Sequence, residues 1–325
     1  MAGAELGNLR KDAGPVAALL LLCFLWSLSS LRSDLLPQFA PAANPQSQFG
    51  YQALPLGLLA LAGTLLMLAR SSKWPRGQQI RRCVAIGLGL FVVPTVLVYF
   101  ARNWVGDSAR VVLFSLAPMF AVVVEPYFGR LSGSQIKGGL MAAIVAVVGT
   151  LLVFPIDMPQ SVKAGFAFCA VVLAAACAAS ANCWAVRVAG ELPGDSLAPF
   201  ATIAGAGSSM AFLALSLLTN HRAPWNWNAG GPDVAWSVAW SAAVEFPGLL
   251  LLFWLMRRMS AARMMTRFLL APLMANLIGL LVLQPAVSLR DGLGLALVAM
   301  GAGWLLFARE EGPETSGATL KLHTR

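Results

Sequence analysis

Ser115-Leu116-Ala117-Pro118-Met119-Phe120-Ala121 and Leu269-Leu270-Ala271-Pro272-Leu273-Met274-Ala275 are two versions of one phrase, 154 residues apart. Each lies inside a long apolar run. There a proline bends a membrane helix without ending it, because neighbouring helices satisfy the freed backbone groups. The same lag pairs Gly138 with Gly292, Gly149 with Gly303, and Leu151-Leu152 with Leu305-Leu306. One residue earlier in register, Pro94 pairs with Pro247, each followed six residues later by a phenylalanine, Phe100 and Phe253. Trp26 and Trp184 add a weaker match. Apolar helices reuse few residue types, but a proline-centred pentad and two glycines at one lag favour a repeat over chance.

Working outward, the 325 residues are 58% hydrophobic and 11% charged, against about 25% charged in a soluble domain. That charge cannot cover a water-facing surface, which argues against cytosolic enzymes, nucleic-acid binders and disordered hubs. The net charge of +9 sits in short clusters between apolar runs, a pattern that suits anionic lipid and not nucleic acid. Cys23, Cys83, Cys169, Cys177 and Cys183 fall in or beside apolar stretches without CxxC spacing, so they read as reduced core residues.

A helix needs about 20 apolar residues to cross the hydrocarbon core. Ten stretches qualify: 14–36, 48–69, 80–101, 107–128, 134–154, 162–187, 197–219, 232–256, 261–283 and 287–308. The expected fold is therefore all-α and integral to a membrane, with ten transmembrane helices. Residues 1–13 form a cytoplasmic N-terminus, 14–154 a first five-helix repeat, 162–308 a second, and 309–325 a cytoplasmic tail. Arg10 and Lys11 ahead of Pro15–Trp26 also resemble a signal peptide, but apolar character resumes through Leu31, Leu35 and Leu36, which favours a span. The segments 37–47 and 220–231, with prolines in the first and Trp225 and Trp227 in the second, read as exposed loops. Seventeen of the 23 lysines and arginines fall on the N-terminal side of the membrane if every stretch spans it. The positive-inside rule then puts both termini in the cytoplasm. Five spans per copy is an odd number, so the second copy enters the membrane inverted, as in secondary transporters.

With those residues in view, the chain from about 14 to 308 resembles the drug/metabolite transporter superfamily, and its EamA-like permeases in particular. Ser115-Leu116-Ala117-Pro118 and Leu269-Leu270-Ala271-Pro272 match the mid-helix segment of the family's fourth and ninth spans. Gly149-Thr150-Leu151-Leu152 and Gly303-Trp304-Leu305-Leu306 match its Gly-x-Leu-Leu ending. The chain departs from the pattern where the family carries Gly-Glu at the end of spans 4 and 9; Arg130 and Gln284 stand near those positions. Tyr51-Gln52 stands where span 2 usually has an arginine. The resemblance implies a pathway surrounded by spans 3, 4, 8 and 9.

Polar residues at helical spacing mark one face of several spans. Span 3 has Thr95, Tyr99 and Asn103; span 4 has Ser115 and Glu125, with Met119 beside them; span 8 has Ser237, Ser241, Glu245 and Gly248. Span 9 offers Thr266 and Asn276, and span 1 offers Ser27, Ser30 and Asp34. The candidate substrate-binding set is Thr95, Tyr99, Asn103, Ser115, Met119, Ser241, Glu245 and Asn276. A lone serine or threonine more often bonds its own helix backbone. The span 8 stripe differs because it holds a carboxylate near mid-membrane, which costs several kcal/mol unless paired, hydrated or neutralised. Glu245 is therefore expected to carry a coupled proton or to meet a substrate amine, facing Tyr99 across a cavity; a hydrogen-bonded structural acid is the bland alternative. Glu125 is read as reaching headgroups or Arg130, Arg32–Asp34 and Arg290–Asp291 as interfacial, and Arg263 and Arg267 as positive-inside charges. Ala170, Ala174 and Ala178 read as a seam for close helix contact, within the chain by default or else a dimer face.

No Walker motif, HExxH or DxxD occurs, and His221 and His323 lie in a loop and the tail. These absences argue against ATP-driven transport and against a membrane enzyme. The sequence thus points to a secondary transporter, an exporter or exchanger of small organic metabolites by alternating access. A membrane scaffold or lipid-handling protein is the alternative. The expected partners are a small-molecule substrate, the lipid bilayer and a coupled proton, with no nucleic acid and no cofactor or metal, as monomer or homodimer. A bacterial inner membrane fits, and the chain carries no Asn-x-Ser/Thr sequon.

Overall fold

The computed structural model describes residues 2–31, 48–70, 74–128, 133–156, 159–191, 197–220, 231–283 and 288–307. The loops 37–47 and 221–230 with Trp225 and Trp227, the residues Arg32, Asp34 and Arg130, and the tail 309–325 lie outside them. Within the described residues the chain is all-helical, and ten helices are long and apolar enough to cross a membrane. These spans are Ala13–Ser30, Phe49–Ala69, Gln78–Ala101, Asp107–Tyr127, Gln135–Val153, Val162–Glu191, Leu197–Thr219, Ala235–Leu255, Ala261–Val282 and Leu289–Phe307, numbered 1 to 10 below. They agree in number with the apolar stretches and differ from them by a few residues at the ends. The chain is a multi-pass membrane protein by this architecture. Its outward faces agree: Leu61, Leu65, Leu68, Phe166, Leu218, Leu281 and Phe307 are all exposed, an apolar coat that water would penalise and lipid tails accept.

Proline shapes spans 3 and 8 in the same way. Pro94 lacks an N–H, and its ring presses on the carbonyl four residues back. The turn before it widens into a π-helical one, Leu88–Val92, in which the Val93 N–H donates to the Leu88 carbonyl. Pro247 is preceded by a second π turn, Ser241–Glu245, with the Phe246 N–H donating to the Ser241 carbonyl. Spans 4 and 9 are broken instead. Span 4 divides into Asp107–Phe114 and Ala117–Val124 around Ser115 and Leu116, just before Pro118. Span 9 divides at Thr266 into Ala261–Met265 and Arg267–Leu283. The two spans are entered through matching turns: Gly106 (φ −64°, ψ 164°) and Ser260 (φ −68°, ψ 161°) are the extended residues before their first helical turns.

Packing pairs each span of one half with a span of the other. Spans 2 and 7 pack together, as do spans 5 and 10. In bilayers such contacts rest on close packing of small residues, since lipid is as apolar as the helix. A Cβ on Gly149 would come within 2.7 Å of the Gly294 carbonyl oxygen, and one on Gly301 within 2.6 Å of the Ala142 carbonyl oxygen. Early residues of span 5 therefore meet late residues of span 10, so the two run antiparallel. Spans 2 and 7 do likewise: Ser209 donates to the Ala53 carbonyl at 2.9 Å, while Gly63 meets Thr202. Span 1 packs on spans 8 and 9, and span 6 on spans 3 and 4. Ala174 and Ala178 of span 6 are buried, so that seam is internal to the chain. Phe49, Phe200, Phe212 and Phe253 fill the interior.

Candidate functional site

Glu245 closes the π turn of span 8, and its half-buried side chain reaches span 1. Ser29 Oγ donates to its Oε1 at 3.1 Å, and Ser241 Oγ donates to its Oε2 at 3.0 Å. Trp240 Nε1 donates in turn to Ser29 Oγ at 3.5 Å. Of the same stripe, Ser237, Ser241 and Gly248 are all buried. Among the described residues no cation forms an ion pair with Glu245; the pairs present are Arg110–Asp107 and Arg187–Glu191. A carboxylate held by two hydroxyls but no countercharge can take up a proton or receive a cationic group.

One turn deeper on span 1, the Trp26 indole packs on Gly248, where an added Cβ would lie 3.1 Å from Trp26 Nε1. Arg267 lies over the other side of this region, its guanidinium carbon 5.5 Å from the Trp26 ring centre and 4.9 Å from that of Phe268. Arg267 is only 3% exposed. Its Nη1 donates to Asn182 Oδ1 at 3.4 Å and to the Met264 carbonyl at 3.5 Å. Reading Arg267 as a charge directed at the membrane surface is thus corrected: its stem turns into the interior of the helix bundle, between spans 1 and 6.

For Glu125 the headgroup reading is corrected as well, while Arg130 lies outside the described residues. Glu125 does not reach headgroups; it is 1% exposed, and its Oε1 and Oε2 accept the backbone N–H groups of Ala261 and Ala262, both at 3.1 Å. It thereby caps the start of span 9 from the end of span 4. Phe114 and Phe268 stack farther along the same pair, 5.4 Å apart, so spans 4 and 9 are also antiparallel.

The other sequence candidates are dispersed. Thr95 donates to the Phe91 carbonyl at 2.7 Å and Ser115 to the Val112 carbonyl at 2.6 Å, the backbone role that small hydroxyls adopt by default. Tyr99 stacks on Phe49 at 4.6 Å with the Arg102 guanidinium 4.0 Å above its ring. Asn103 is exposed in the turn beyond Ala101, where span 3 has ended. Met119 is half-buried against the core. Asn276 is half-buried, and its Nδ2 has no hydrogen-bond partner. At the surface, Asp291 accepts from Ser288 Oγ at 2.6 Å. Ser29, Trp26, Asn182 and Arg267 complete the polar centre. For Ser29 the sequence held a usable signal, a hydroxyl one turn from Trp26; Asn182 and Arg267 meet only through the fold.

A cavity of about 530 Å³ opens elsewhere, at the turns joining spans 3 to 4 and 5 to 6, lined by Trp104, Asp107, Ser108, Gln160 and Phe168 among others. None of the residues around Glu245 or Arg267 lines it, so it is separate from this centre. No group of three or more metal-ligating side chains occurs among the described residues.

No family profile matches the chain, and no curated protein does. A solved crystal structure of a protein aligns with it at a TM-score of 0.66 and 16% identity, covering 92% of this chain and 100% of that one. At that identity the likeness concerns the fold, and its coverage means that it extends over both the first and the second five spans rather than one set alone.

Proposed function

We propose that this chain is a secondary transporter of small organic metabolites, built as two inverted five-span repeats and similar to the EamA-like permeases. The observation that carries this reading is the exchange of partners between halves. Span 1 packs on spans 8 and 9 while span 6 packs on spans 3 and 4. The pairs 2 with 7, 4 with 9 and 5 with 10 are antiparallel, as a half-turn about an axis in the membrane plane requires. The paired π turns at Leu88–Val92 and Ser241–Glu245, 153 residues apart, support the same symmetry. π turns inside helices frequently accompany function. Rocking one half against the other opens each side in turn, and the termini lie in the cytoplasm of a bacterial inner membrane.

Glu245 is the coupling residue in this reading. Ser29 and Ser241 hold the carboxylate between spans 1 and 8, one from each half, so that adding or removing a proton alters a contact between the moving bodies. The test is flux in sealed vesicles carrying the purified protein, with and without an imposed proton gradient. Glu245→Gln keeps the shape and one acceptor but cannot titrate. Wild-type flux should follow the gradient, and the variant should lose that response. A gradient response that survives in Glu245→Gln removes the coupling role, and the absence of flux for a broad metabolite panel favours a scaffold or lipid-handling protein.

A further inference from the structure

Among the described residues no acidic side chain forms an ion pair with Arg267. This arginine stands six residues past Ala261, about 9 Å along span 9 at 1.5 Å per residue, and yet is 3% exposed. Arginine carries five N–H donors. The bonds made here, to Asn182 Oδ1 and the Met264 carbonyl, are long at 3.4 and 3.5 Å, and the buried Nε–H has no acceptor. No carboxylate lies within ion-pair distance among the described residues. The rings of Trp26 and Phe268 flank the guanidinium. Such contacts attract a cation, but they do not neutralise it, and a charge placed inside a membrane defaults to function.

The backbone adds to the imbalance. The 17-residue helix Arg267–Leu283 begins at this residue, so the positive end of its dipole falls beside the guanidinium. A broken membrane helix with its second half starting at a buried cation concentrates positive potential where no carboxylate among the described residues pairs with it. Asn182, whose Nδ2 donates to the Ala261 carbonyl at 3.5 Å, turns its Oδ1 to the guanidinium and orients it without supplying charge.

We infer that Arg267 is an oxyanion-recognition site, at which the carboxylate or phosphate group of a small organic anion completes the guanidinium's hydrogen bonds against Trp26 and Asn182. A planar fork suits such groups because it can donate two parallel bonds at once. Substrates bearing an oxyanion are then favoured over purely cationic or neutral ones. That the anion is cargo rests on the transport reading; that it binds does not.

The test uses the whole chain in lipid nanodiscs, with succinate, lactate, benzoate and inorganic phosphate as probes, each against chloride at equal ionic strength. At least one probe should raise the wild-type Tm by several degrees and change its tryptophan fluorescence. Arg267→Met should abolish the Tm shift, and Arg267→Lys should weaken binding at least tenfold, because an ammonium keeps the charge but loses the fork. Trp26→Phe should lose the fluorescence response, a readout that does not depend on how Arg267→Met folds. If no probe shifts the wild-type Tm, or the shift persists in Arg267→Met, the inference is overturned. Oxyanion binding without vesicle flux of the same probe would sink the transport reading and leave this site standing. Flux that Arg267→Met leaves intact would do the reverse.

Discussion

Removing the charge of Glu125 should loosen the joint between spans 4 and 9. The wild-type carboxylate accepts two backbone N–H groups, from Ala261 and Ala262, each at 3.1 Å. Hydrogen bonds to a charged group contribute about 1.5–3 kcal/mol each, and a buried donor left unpaired costs about 1–3 kcal/mol. In Glu125→Gln the amide oxygen can serve one N–H, while the amide NH2 confronts the other. The expected loss is about one such bond, on the order of 2–3 kcal/mol, which is about a 30- to 150-fold rise in the population with this end undocked. Cys183 reports on it: the thiol is 3% exposed and its Sγ lies 3.9 Å from the Ala121 carbonyl oxygen, beside the same joint. In a background lacking Cys23, Cys83, Cys169 and Cys177, thiol labelling of Cys183 should speed up by a comparable factor in Glu125→Gln. Labelling within twofold of the parent protein would refute the argument, because the two bonds would then contribute nothing to closure.

Gly301→Leu should break the contact of spans 5 and 10, since even a Cβ there meets the Ala142 carbonyl oxygen at 2.6 Å; overpacking costs about 1–3 kcal/mol or more, read as a lowered Tm in nanodiscs, whereas Gly138→Ala, in open space, should leave it unchanged. Pro247→Ala restores a backbone donor and should let the π turn Ser241–Glu245 relax to α geometry, slowing vesicle flux while raising Tm; equal flux in both proteins would deny that turn a part in transport. Single cysteines at Trp74 and at Asn103, placed in a cysteine-free chain, should react with impermeant reagents from opposite sides of the membrane, Trp74 from the cytoplasm. Labelling of both from one side would contradict the ten-span topology.

The spans themselves were legible because crossing a membrane imposes a length and forbids charge, and both constraints are local. Pro94 and Pro247 announced a bend, but not that the turn before each would widen by one residue. That outcome depends on whether the helix axis can continue on the far side. Asn103 leaves the helical face read for it for a simple reason: the spacing Thr95, Tyr99, Asn103 assumes an unbroken helix, and span 3 ends at Ala101. Glu245 was visible, since a carboxylate in an apolar run stands out whatever surrounds it. Its partner Ser29 stands 216 residues away, and nothing in local pattern joins them. Arg267 and Glu125 were misread for one shared cause. Counting charges assigns a side chain to a membrane end but cannot tell whether its stem turns to lipid or to the interior. That direction was decided by Trp26 and Asn182 of spans 1 and 6 for the one and by the first-turn amides of Ala261 and Ala262, which have no acceptor within their own helix, for the other.

Each π turn holds one residue more than an α turn would, and that residue is slack stored in the helix. Moving it one position along exchanges one backbone bond for its neighbour, so no turn needs to unwind. Each step re-aims the residue that the turn passes by up to about 100°, the angle per residue of an α-helix, while the helix on either side keeps its register. Span 8 carries Glu245 at the edge of this slack and Gly248, against Trp26, just beyond it. A single step would therefore swing the carboxylate relative to Ser29 without lengthening or shortening the helix as a whole. Span 3 stores the same slack at Leu88–Val92, a turn that includes Gly89, where an added Cβ would come within 2.9 Å of Ala181 Cβ in span 6.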